Sequence, residues 1–158
     1  MATNSYRVFL DSNVIISGML SDKGAPRIIL DLLSLHLPGI IGLTGEYNLI
    51  EVERNLTRKL PKALPVYLEY VPRLSLTVIP LPTAEEIAEY VGAINNKDLP
   101  VLLSAIKGCA DFLVTGDNKD FSLINDSNLY SFTVISPTEF LEKIGKIISA
   151  TTQSTLID

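Results

Sequence analysis

Short apolar runs recur along the chain, each followed by a segment whose apolar residues return at helical spacing. Residues 6–10 (YRVFL), 40–43 (IIGL), 76–81 (LTVIPL), 112–115 (FLVT) and 132–135 (FTVI) read as strands. Between them, 14–20 is small and apolar enough for a loop or a short helix, and 24–35 is a helix burying Ile28, Ile29, Leu32, Leu33 and Leu35. A helix capped by Thr44 runs to about Lys59 with Leu49, Val52, Leu56 and Leu60 inward. Pro61, Pro65 and Pro72 break residues 61–73 into an irregular helical hairpin. Thr83-Ala84-Glu85-Glu86 and Ser136-Pro137-Thr138-Glu139 are capping boxes, starting helices to about Ile94 and Ile148. The alternation predicts a three-layer α/β/α domain over 1–150 with a central parallel sheet, and a polar, frayed tail over 151–158.

The chain is organised around residues 98–121, DLPVLLSAIKGCADFLVTGDNKDF. Asp98 before Leu-Pro is a helix-start signal. Val101, Leu102, Ala105, Ile106 and Cys109 then form an apolar stripe, which places the thiol among buried small hydrophobes. The unalternated strand after it suits a sheet covered on both faces, and it stops at Gly116-Asp117. In open parallel sheets, ligands bind at the carboxyl ends of the strands. One helix–strand unit therefore brings Asp98 and Asp117 towards the same rim.

At 158 residues the chain is one domain with a sizeable core, and 47% hydrophobic with 20% charged residues describes a compact globule. The net charge of −5 does not advertise nucleic-acid binding, although acids holding a divalent cation reverse the local sign. One cysteine excludes a disulfide framework and a thiolate zinc site, and one histidine excludes His-rich zinc sites and paired-histidine ribonuclease chemistry. His36 marks a helix end, where an imidazolium suits the dipole. MATNSYR has no apolar signal core and no run is long enough for a membrane span, so a cytoplasmic protein is expected.

Asp11 after the first strand, Asp98 at a helix start and Asp117 after a later strand fall on one rim, and Glu46, Glu51 and Glu53 lie on the helix after the second strand. Singly, Asp is a common cap or turn residue and a glutamate a solvated one. Jointly, carboxylates converging without histidine suit Mg²⁺ or Mn²⁺ bound through oxygen.

YRVFLDSNVIISG, EVERNL, DLPVLLSAIKGCADFLVTGDNKDF and FTVISPTEFLEKI, in that order, resemble the PIN-domain ribonucleases, most closely the VapC-like toxins of prokaryotic toxin–antitoxin pairs. The resemblance implies five strands with the Asp11 strand central, one or two divalent ions, RNA as substrate and a small antitoxin as partner. It implies metal ligation by Asp11, Asp98 and Asp117, with Asp120 as a further acid and Asn13 and Thr115 hydrogen-bonding the ligands. Glu51, followed by Val52 and Leu56, matches the family's glutamate, whereas a helical wheel with Leu49, Val52, Leu56 and Leu60 inward puts Glu53 nearer the covered face. Glu51 is retained, with Glu53 as the alternative. Arg54, Arg58, Lys59 and Lys62, with Arg73 nearby, form a basic cluster that either contacts RNA or is a solvated helix face.

Two other readings stand beside a nuclease. A haloacid-dehalogenase-type phosphatase would use Asp11 as nucleophile but needs an acid where Asn13 stands. A non-catalytic PIN-like module would bind RNA or protein without turnover. Leu64, Val66, Tyr67, Leu68, Tyr70 and Val71 offer more apolar surface than short helical turns bury alone, and point either to core closure or to an interface with an antitoxin or a second copy.

Overall fold

The computed structural model describes residues 5–117, 119, 121, 124–125 and 129–157. Five parallel strands, β1 (Tyr6–Leu10), β2 (Ile40–Gly45), β3 (Thr77–Ile79), β4 (Phe112–Val114) and β5 (Thr133–Ile135), form one sheet in the order β3-β2-β1-β4-β5. β1 is central and pairs with β2 through Phe9↔Leu43 and with β4 through Leu10↔Val114. The chain moves outward from β1 to β3, then returns to the other side of β1 at β4. The strand order therefore reverses between β1 and β4, which opens a crevice at their carboxyl ends.

Helices cover both faces, as the unalternated strands require. Successive residues of a strand point to opposite faces, so Val8 and Leu10 enter one core and Phe9 the other. The first core takes Val14 of α1 (Ser12–Leu20), Ile29 and Leu33 of α2 (Ala25–Ser34), Val52 and Leu56 of α3 (Glu46–Lys59), and Phe140 and Ile144 of α7 (Pro137–Ile157). Tyr67 of α4 (Leu64–Tyr70) joins it, flanked by the 3₁₀ turns Pro61–Ala63 and Val71–Leu74. The second core sets Phe9, Leu43 and Leu113 against Leu99 and Leu102 of α6 (Leu99–Lys107), with Ile87 of α5 (Ala84–Glu89) at its edge.

Several elements differ from the sequence pattern for identifiable reasons. Residues 12–20 form a full helix, because Asp11 caps it by accepting from the Ser12 N–H. Thr44 is not a helix cap: it lies in β2, fully buried, and donates to the Leu10 carbonyl at 2.9 Å, so α3 starts from Gly45. Residues 28 and 35 are exposed; Ile29 and Leu33 are buried as expected, and Leu30 joins them. β3 is shorter than 76–81, and α5 ends at Glu89, well before Ile94. Cys109 is exposed rather than buried: α6 ends at Lys107, and Cys109 sits in the following turn at φ 50°. The terminal helix does not stop near Ile148 but continues to Ile157. Both capping hydrogen bonds of the Thr83–Glu86 box form, and Ser136 Oγ accepts from the Glu139 N–H at 3.1 Å. His36, at φ 52°, turns the chain beyond α2 as a residue at a helix end does.

Candidate metal and nucleic-acid site

Asp11 leaves the carboxyl end of β1 and is only 8% exposed. A carboxylate so placed needs donors, and it has them. Oδ1 accepts from the Ser12 N–H at 2.8 Å and from Asn48 Nδ2 at 3.1 Å. Oδ2 accepts from Thr115 Oγ1 at 2.8 Å and, at a longer 3.4 Å, from Asn13 Nδ2. Burial pushes the Asp11 carboxyl above its usual range; the bonds from Thr115 and Ser12 oppose that, and the charges of Glu51 and Asp117 reinforce it.

Thr115 and Asn13 stitch the ends of β4 and β1 together. The Thr115 hydroxyl, fully buried, also accepts from the Asp117 N–H at 3.1 Å, which sets the direction in which the chain leaves the strand. Asn13 Oδ1 accepts from the Gly116 N–H at 2.9 Å. Asn13 is thus a strut between two strand ends, and its amide has no titratable proton to serve as the acid/base group that the phosphatase reading requires.

A cavity of about 220 Å³ opens over this rim, and Asp11, Asn13, Glu51, Asp98 and Asp117 all line it. Four of the acids expected from the sequence therefore surround one space. Asp120 lies outside the described residues. Asp98 stands at the N-cap position of α6, but its side chain makes no capping hydrogen bond. Glu51 Oε2 accepts from Ser12 Oγ at 2.8 Å, whereas Glu53 lies outside the cavity against Tyr67, whose phenol it helps, after burial, to hold protonated. Among the described residues, no three acidic, histidine or cysteine side chains are already gathered as an ion cage. The donors are nevertheless all oxygen, and the buried carboxylate is pushed up by burial and by two neighbouring negative charges. That chemistry suits a hard divalent cation.

Ser12, Tyr47, Asn48, Asn55 and Lys97 are not among the site residues expected from the sequence, although all but Asn48 line the cavity and Asn48 bonds Asp11 directly. Asn48, Glu51 and Asn55 repeat at helical spacing, a polar stripe on α3 that could have been noticed. Tyr47 stands near the acids: burial first, then the charges of Glu51 and Asp98, raise its phenol. Arg54, Arg58, Lys59 and Lys62 are exposed on and just beyond α3, while Arg73 is ion-paired to Glu69 at 3.0 Å.

A family model described as a PIN domain matches residues 7–119. No curated protein sequence matches the chain significantly. Among solved structures, VapBC2 from Rickettsia felis bound to a DNA fragment from its promoter aligns with a TM-score of 0.60 at 18% identity, over 82% of this chain and 98% of the matched one. VapBC-1 from nontypeable Haemophilus influenzae gives 0.57 at 21% identity, over 84% and 98%. A toxin–antitoxin complex from Klebsiella pneumoniae gives 0.56 at 17%, over 82% and 97%. At such identities the likeness is one of fold.

Proposed function

The chain belongs to the PIN-domain family, and from that premise we propose that it is a Mg²⁺- or Mn²⁺-dependent endoribonuclease, the toxin of a toxin–antitoxin pair. The observation that carries the reading is the convergence of Asp11, Glu51, Asp98 and Asp117 on one cavity at the strand-order reversal, with Asp11 buried and fixed by donors from three elements. These four would hold one or two divalent ions, with Asp120 as a further acid. When bound, such an ion acidifies water and offsets phosphate charge.

The chain's own residues account for positioning. Thr115, Asn13 and the Ser12 N–H keep the Asp11 carboxylate in one orientation, so little reorganisation is left for the moment of reaction. Among the described residues the lining supplies no cysteine or serine–histidine pair, and in this reading the attacking group is water. Its oxygen bonds to phosphorus, the P–O3′ bond breaks, and the products are a 5′-phosphate and a 3′-hydroxyl. Arg54, Arg58, Lys59 and Lys62, all exposed, would hold RNA by its phosphates. Support for an antitoxin partner comes from the toxin–antitoxin complexes whose fold this chain shares.

The test is cleavage of single-stranded RNA by purified protein with Mg²⁺ or Mn²⁺ and with EDTA. Metal-dependent cleavage is expected, and Asp11→Asn should cost orders of magnitude while the protein stays folded. Cleavage that ignores EDTA and survives in Asp11→Asn would overturn the proposal.

A further inference from the structure

Helix α3 buries Asn48, Val52 and Leu56, and Asn48 occupies the position where that stripe calls for an apolar side chain. It is 0% exposed. Its Nδ2 donates to Asp11 Oδ1 at 3.1 Å and to Ser12 Oγ at 3.0 Å, so both amide protons are committed. Ser12 Oγ in turn donates its one proton to Glu51 Oε2 at 2.8 Å. The orientation is fixed by charge: turning the amide over would set its carbonyl oxygen against the Asp11 carboxylate.

That orientation leaves Asn48 Oδ1 buried without a hydrogen-bond partner. Gly45 makes room for it. With φ at −91°, residue 45 needs no glycine for its backbone, yet a Cβ there would stand 2.7 Å from Asn48 Oδ1 and 2.9 Å from Ser104 Oγ. The chain thus forgoes an apolar core position and a side chain at residue 45 to keep this amide in place. A buried polar atom left unmet opposes folding, and such breaks of the pattern concentrate where function requires them.

We propose that Asn48 is a positioning residue that clamps Asp11 to Glu51 through Ser12, fixing two carboxylates from separate elements in one geometry for a shared divalent cation. The inference rests on the metal-site reading above. Asn48→Leu keeps near-native volume and restores the apolar stripe while removing the clamp. The first readout is Mn²⁺ affinity of the intact protein, followed by electron paramagnetic resonance. Asn48→Leu and Ser12→Ala should each weaken it by about 10–100-fold, and the double variant should lose no more than the larger single loss, because both break one connection. Affinity in folded Asn48→Leu within about twofold of the parent, or losses that multiply, would overturn the clamp.

The second readout needs neither metal nor the Asn48 variant to fold. In ¹⁵N spectra of the metal-free protein, Asp11→Asn and Ser12→Ala should each shift the Asn48 side-chain amide, and an amide indifferent to both would overturn the proposal. Should the parent bind no Mn²⁺ while the amide answers to both substitutions, the metal reading fails and the clamp stands.

Discussion

The Ser12 hydroxyl donates to the Glu51 carboxylate at 2.8 Å, tying the first turn of α1 to the middle of α3. Glu53, on the same helix, is turned to Tyr67 and away from the cavity. The two glutamates therefore differ in surroundings despite their proximity. Glu51→Gln should lower single-turnover RNA cleavage by orders of magnitude, because it removes a charge from the proposed metal site. Glu53→Gln should leave cleavage close to that of the parent. The reverse ranking would move the helix acid to Glu53.

Asp11 gives the stability a definite pH dependence. Its carboxyl is pushed up by burial, so the folded form holds the proton more tightly than the unfolded chain. The resulting stabilisation is complete below the ordinary carboxylate range and is lost as pH rises through the raised folded value. In EDTA, this contribution should lower the melting temperature across that window. Mn²⁺ or Mg²⁺ at neutral pH should raise it again, since a cation takes over the proton's role of offsetting the negative charge. Asp98→Asn and Asp117→Asn should shrink the metal-induced rise. Melting curves that do not respond to saturating metal would exclude a metal site.

The rim acids were legible because each stands where a strand or helix boundary is written locally: Asp11 after YRVFL, Asp98 before Leu-Pro, Asp117 after a glycine. The helix acid was harder. Leu49, Val52 and Leu56 do face the core, but Leu60 lies beyond α3 and is exposed, and counting it as inward rotates the wheel away from a buried stripe that includes Asn48. Periodicity cannot assign an asparagine to a core, since what buries it is a carboxylate from a distant strand. Cys109 misled for a related reason: the apolar spacing continues past Lys107, but Gly108 ends the helix and turns the thiol outward. Thr44 looked like a cap because threonine commonly is one, yet its hydroxyl is taken by Leu10 across the sheet. Contacts between residues far apart in sequence decided Asn48 and Thr44, and a local helix end decided Cys109.

The basic residues divide by what they already contact. Arg73 is held by Glu69 at 3.0 Å, whereas Arg54, Arg58, Lys59 and Lys62 form no ion pair among the described residues and are exposed on and just beyond α3. RNA affinity of the inactive Asp11→Asn protein, measured by fluorescence anisotropy across a salt series, should separate them. Arg54→Ala and Arg58→Ala should weaken binding irrespective of RNA sequence and flatten the log–log salt slope by about 1 each. Arg73→Ala should do neither. Salt slopes unchanged in all three variants would show that this face is solvated and does not meet phosphates.

The segment between α3 and β3 splits in the same way, into a part that closes the core and a part that does not. Tyr67 is 3% exposed and Leu74 is buried beside it, with Leu64, Tyr70 and Val71 packed against the same cluster. Val66 and Leu68, on α4 with Tyr67, are 56% and 57% exposed. Core closure accounts for the first group, so Tyr67→Ala should cost about 3–5 kcal/mol in denaturant unfolding, as truncation of a large buried ring does. Joint replacement of Val66 and Leu68 by serine should cost far less than the loss of Tyr67, about 1 kcal/mol or under, since both side chains are mostly exposed. If α4 also serves as an interface between copies, sedimentation will show the parent associating at high concentration and the serine variant remaining monomeric. A parent that stays monomeric throughout would remove the homodimer and leave core closure or an antitoxin interface.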